Sequence, residues 1–172
     1  MSDLERTLLS EQLNWYRLLH HDFLNQWQVV MGYLQLKQND KALTYIHDVI
    51  NDLMVERQIC HVAQPVVAAC LVGWVIRMRL EMVEVRLEYP SEMKEASFWQ
   101  EHWQEQYEEQ LYAFMLDCLH GLRLKAQRYK DPMAAEITLK VRNGIFHCEL
   151  LLTCRGIVLM KKTLGLSEHV RI

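Results

Sequence analysis

Residues 5–37 contain no Pro and a single Gly, and apolar or ring-bearing side chains recur in them at Leu9, Leu13, Tyr16, His20, Phe23, Trp27, Val30 and Leu34. The steps alternate between four and three residues without a break. Side chains spaced in this way fall on one narrow stripe of an α-helix, so the pattern predicts a long helix with a coiled-coil or bundle seam. Gln38-Asn39-Asp40 reads as a turn, and a second helix is expected from about Lys41 to Ile59. Its stripe is Leu43, Ile46, Ile50, Leu53 and Met54, with His47 within it and Val49 on the flank. So short a turn makes the two helices an antiparallel hairpin. A lone hairpin cannot cover a seam on one helix and a broad stripe on the other. Two hairpins from two chains can, as a four-helix bundle, and a homodimer is therefore expected.

The pattern changes at Gln64-Pro65, where Pro suits the first turn of a new helix. Val66 to about Met82 is apolar nearly all round and should be buried. Val83 to Tyr89 alternates strictly and reads as a strand ending at Pro90. Residues 91–109 are polar, charged and aromatic, and lead into a helix running to about Gln127. Glu136 to Arg142 alternates again, Asn143-Gly144 is a strong hairpin-turn signal, and Ile145 to Cys154 is the returning strand. Ile157 to Leu166 allows either a strand or a short helix. The expected class is α+β, with a helical hairpin at residues 1–62 followed by a small α/β sandwich at residues 63–172.

Composition narrows the chemistry. The 19 Lys and Arg against 22 Asp and Glu give a net charge of −3, which argues against a nucleic-acid surface. The six glycines lie at 32, 73, 121, 144, 156 and 165. Loops that cradle phosphates need clustered glycines, so a nucleotide enzyme with a Gly-rich loop is not expected. No apolar run is long enough to span a bilayer, and a cytoplasmic protein with no membrane partner is expected. Five cysteines without any Cys-x-x-Cys pair read as reduced and mostly buried thiols. The five Trp and nine Met read chiefly as core filling, with a partner-docking surface as the rarer use.

The polar residues of the first helix are not spread evenly. His21, Asn25, Gln28 and Gly32 stand at i, i+4, i+7 and i+11 and share one face beside the seam. His20 lies on the seam, where partial burial is expected, and Asp22 follows His21 directly. This face allows three chemistries. It suits a solvated surface that carries a His by chance. It suits poorly a metal site built from His20, His21 and Asp22 with His47 or His61, because adjacent helical residues diverge and zinc favours an i, i+4 pair. It also suits a phosphoryl-accepting His, which needs an exposed neutral imidazole, a carboxylate to hold the ring, and a groove that another active site can approach.

The run from Leu18 to Leu36, with His21-Asp22-Phe23-x-Asn25-x-x-Gln28-x-x-x-Gly32 at its centre, resembles the phospho-acceptor helix of the sporulation initiation phosphotransferase B family. The same pattern occurs in the citrate- and fumarate-type sensor histidine kinases. The resemblance covers residues 8 to about 60 closely and residues 65–172 only in architecture. It implies His21 as the phospho-acceptor, Asp22 as the group that orients or polarises the ring, and Asn25, Gln28, Gly32 and His20 as the face presented to a partner. It also implies that the second domain is a degenerate relative of the histidine-kinase ATPase domain. Leu116-Asp117-Cys118-Leu119-His120-Gly121-Leu122 offers no Asn for magnesium, and no Asp-x-Gly-x-Gly occurs. Asp117 and His120 read as a satisfied polar pair or as residues facing a partner.

The function implied is a phosphorelay phosphotransferase linking two response regulators, in sporulation initiation. It would work through a phosphohistidine, with no cofactor or metal of its own and with magnesium supplied by the regulator. The rivals are a dimeric adaptor that docks regulators without phosphorylation and, more remotely, a kinase with a cryptic ATP site.

Overall fold

The computed structural model describes residues 3–166. The expected domain ends at residues 1–2 and 167–172 lie outside them. The chain is α+β and divides into two compact units, residues 1–57 and 58–172.

In the first unit, α1 runs from Asp3 to Gln35 and α2 from Asn39 to Asp52. The turn falls slightly earlier than expected. Lys37 adopts a left-handed backbone (φ 57°), its N–H donates to the Leu34 carbonyl, and the Gln38 N–H donates to the Tyr33 carbonyl. Those two bonds satisfy carbonyls that the end of α1 would otherwise leave open. The antiparallel helices meet near the turn, where the Tyr33 and Tyr45 rings lie 6.3 Å apart and Val30 and Ala42 are buried.

The expected second helix is divided. α2 ends at Asp52 and a six-residue helix, α3, spans Met54–Ile59. Leu53 leaves helical geometry (φ −86°, ψ 1°), and its N–H is shared between the Val49 and Ile50 carbonyls. Apart from Val30, the seam is open within the chain. Leu9, Leu13, Tyr16, Phe23, Trp27 and Leu34 are all exposed, as are Leu43, Ile50, Leu53 and Met54 on the second stripe.

The second unit opens with α4, Pro65–Leu80, whose Val67 N–H is capped by the Gln64 side chain at 2.7 Å. Eight of its residues are buried, in keeping with its all-round apolar sequence. Strand β1, Val83–Glu88, alternates buried and exposed positions as expected. A short 3-10 helix at Ser91–Lys94 and α5, Ala96–His102, then precede α6, Tyr107–Ala126. Strands β2 (Met133–Arg142), β3 (Ile145–Cys154) and β4 (Ile157–Leu166) complete a sheet of order β1-β2-β3-β4. β1 and β2 are parallel and the remaining pairs antiparallel. Asn143 and Gly144 both take positive φ (54° and 75°), the geometry that a two-residue hairpin turn requires.

Helices α4 and α6 pack on each other and against the sheet. Their core includes Trp74, Leu111, Met115, Ile137, Leu150 and Phe146, each almost wholly buried. Residues 91–109 join this core. Trp99 is buried, its indole N–H donates to the Met93 carbonyl at 2.7 Å, and both Trp99 and Trp103 contact the Phe146 ring. Four of the five cysteines are buried free thiols and Cys60 is exposed. α6 comes so close to β4 that a methyl group at Gly121 would sit 2.7 Å from the Met160 sulfur. Asp117 does not pair with His120. It accepts a hydrogen bond from Lys162 of β4 at 2.5 Å, because the strand brings a cation to that side of α6, and His120 is exposed.

Candidate functional site

The site lies on α1, within the first unit. Residues 5–37 hold no Pro, so the backbone ladder runs unbroken and its geometry alone places His21, Asn25, Gln28 and Gly32 on one face. His21 is exposed over 72% of its side chain, and Asp22 over 57%. The ring Nδ1 is the engaged atom. Asn25 Nδ2 lies 3.2 Å from it, one turn along the helix, and Asp22 Oδ1 lies 3.5 Å from it. Both neighbours gather at Nδ1, and among the described residues none pairs with Nε2.

Asn25 therefore has a place beyond the one expected of it. Expected as part of the partner-facing surface, it also touches the imidazole. The signal was present in the sequence, since i, i+4 polar pairs on a helix meet routinely. Asp22 is adjacent to His21 in sequence, and its short side chain reaches Nδ1 only loosely.

Gln28 is exposed and Gly32 partly so. A β-carbon added at Gly32 would meet no atom within 4 Å. Nothing in the chain's own packing requires glycine at that helical position, although glycine there costs stability. His20 is exposed rather than partly buried, with its ring 6.1 Å from that of Tyr16. The expected burial is missing because no helix among the described residues covers that stretch of the seam. Among the described residues, no group of three or more His, Cys, Asp or Glu side chains is placed to hold a metal ion. His47, weighed as a fourth ligand, is exposed on α2.

An exposed imidazole with one nitrogen engaged and the other open is a nucleophile or a proton carrier at neutral pH. In the second unit the ionisable groups point elsewhere. Burial pushes the Cys118 thiol from its ordinary 9.0 up to about 12, against the opposing pull of Lys162, and burial also raises the Cys148 thiol well above its ordinary value. Both thiols stay protonated and unreactive near neutral pH.

No curated protein matches this chain. Residues 1–62 match the family model described as the sensor kinase SpoOB-type alpha-helical domain. The N-terminal helical part of the chain is thus similar to the SpoOB-type alpha-helical domain, a domain related to two-component phosphotransfer proteins.

Proposed function

We propose that this protein is a phosphorelay phosphotransferase that takes a phosphoryl group from the aspartate of one response regulator onto His21 and passes it to a second regulator, in sporulation initiation. The observation that carries this reading is the open Nε2 of His21, with Asp22 and Asn25 gathered at Nδ1. For Nε2 to attack, the neutral ring must carry its proton on Nδ1. Asp22 Oδ1 faces that N–H as an acceptor, and a half-turn of the Asn25 carboxamide would set its oxygen against the same atom.

The Nε2 lone pair then forms the N–P bond in line with the breaking P–O bond. The electron pair of that bond leaves with the regulator's aspartate, which is released as a carboxylate. The Nδ1 proton stays where it is, so the phosphoimidazole carries a positive ring that the Asp22 carboxylate balances. Transfer to the second regulator reverses the bond changes. In so loose a transition state the protein chiefly aligns the reacting atoms, and neutralising charge on the phosphoryl oxygens is what a magnesium ion held by each regulator's own acidic site would supply. Gln28, Gly32 and His20 form the face on which the receiver domain rests.

The working unit is a homodimer in which two hairpins close a four-helix bundle. The exposed seam from Leu9 to Leu34 and the exposed stripe on α2 support this. Burying each such large apolar side chain contributes about 1.5–3 kcal/mol. The second unit is read as a degenerate ATPase-like domain that serves structure and docking.

The test is to mix the protein with a phosphorylated receiver domain. Phosphate that appears on it and is labile to acid but stable to base supports the reading. A receiver that binds without transferring phosphate would establish the adaptor instead.

A further inference from the structure

We propose that one end of the α/β unit rests on an anionic lipid surface, with Met82, Ile157 and Val158 seated in the headgroup layer inside a fringe of Lys and Arg. Strand register places these residues together. Val83 pairs with Met133, Met133 with Cys154, and Cys154 with Ile157, so Met82 and the Arg155-Gly156 turn mark the same edge of the sheet. The C-terminal ends of α4 and α6 reach that edge too. Arg123 of α6 bonds to Glu81 after α4 at 3.0 Å, and Arg155 bonds to Asp131 after α6 at 2.5 Å.

Two properties of this end call for a partner. Its apolar side chains protrude: Met82 is 85% exposed, Ile157 68% and Val158 56%, and Leu80, Leu124 and Tyr129 are exposed beside them. Its charge also runs against that of the chain. Segments 79–82, 123–131 and 155–158 hold six Lys and Arg against two carboxylates, a net charge of +4 in a chain of net charge −3. The cations are Arg79, Arg123, Lys125, Arg128, Lys130 and Arg155.

Protruding apolar side chains within a basic fringe fit an anionic lipid headgroup layer, where burial and charge attraction add. The apolar points also stand apart. Met82 and Ile157 are three strand spacings from each other, roughly 14 Å. A fluid lipid layer receives separate protrusions without preformed pockets, whereas a protein partner would need a matching hollow for each. No helix among the described residues is long and apolar enough to cross a membrane, so the contact is peripheral. It departs from the expectation of no membrane partner, which concerned spanning segments.

Co-sedimentation of the full chain with vesicles tests the proposal, using phosphatidylcholine alone and phosphatidylcholine mixed with phosphatidylglycerol. The protein is expected to pellet with the mixed vesicles, to stay in solution with phosphatidylcholine alone, and to be released by added salt. Met82→Gln with Ile157→Gln is expected to weaken binding at least about tenfold, and so is Arg128→Gln with Lys130→Gln. These side chains are exposed, so an unchanged circular dichroism spectrum is expected for both variants. Pelleting by the variants equal to that of the wild type would overturn the proposal, and so would equal pelleting with both vesicle types. A wild-type chain that ignores vesicles but cross-links through Lys130 to an acidic protein would overturn it in favour of a protein partner.

Discussion

Replacing Gly32 by Ala separates stability from docking at one position. Glycine inside a helix costs about 1 kcal/mol relative to alanine, because it fixes the most backbone freedom. The added methyl group meets nothing within 4 Å, so no clash offsets that gain. Gly32→Ala should therefore stabilise the chain by about 0.5–1 kcal/mol and raise the midpoint of a thermal melt by about 2–4 °C per kcal/mol. Gly32 lies 11 residues from His21 on the same face. At 1.5 Å per residue the separation is about 16 Å, within reach of a receiver domain centred on the imidazole. If glycine is there to let a partner backbone come close, the same variant should take up phosphate at least about tenfold more slowly from a phosphorylated receiver. Circular dichroism melts and single-turnover transfer measure the two effects. A lower melting point would show that the space around Gly32 is not open, and transfer at the wild-type rate would remove Gly32 from the docking face.

Other consequences follow from the packing. Phe23→Ser with Trp27→Ser removes two exposed side chains of the seam and should weaken the dimer by about 3–6 kcal/mol per pair of side chains buried, read by sedimentation equilibrium. If the protein is monomeric throughout, the bundle is wrong. Lys37→Gly relieves a left-handed backbone at the end of α1 and should stabilise the hairpin by about 1 kcal/mol in a denaturant titration. In the native state a thiol reagent should modify Cys60 alone at pH 7, and all five cysteines after unfolding. Cys118 holds its proton in the folded state from 9.0 to about 12, while the unfolded chain releases it above 9.0. The unfolded state then binds fewer protons, so stability should fall as pH rises through that window, and Cys118→Ala should flatten the slope.

The seam on α1, the turn after it, the hairpin at Asn143-Gly144 and the alternation of β1 were legible because each is a local pattern with one structural solution. The break at Leu53 was not. It contains neither Gly nor Pro, and only the shared hydrogen bond to Val49 and Ile50 reveals it. β2 begins three residues earlier than its alternating pattern because Val83, Glu84 and Val85 of β1 pair with Met133, Ala134 and Ala135. Ala-Ala has little strand preference of its own, and the parallel neighbour supplies what the local sequence lacks. Arg155-Gly156 was harder to read as a turn than Asn-Gly, because Arg rarely takes the positive φ (49°) it adopts here. In the site, spacing placed His21, Asn25, Gln28 and Gly32 on one face, but only side-chain geometry put Asn25 against Nδ1.

The central claim is that His21 carries the phosphoryl group, and site mapping by fragmentation mass spectrometry at neutral pH tests it most directly. After incubation with a phosphorylated receiver, the phosphoramidate is expected on His21 in the wild type and in His20→Gln, and on no residue in His21→Gln. The exposed His21 side chain makes little contact with the core, so His21→Gln should melt with the wild type. Phosphate on His20, or uptake that survives His21→Gln, would contradict the account.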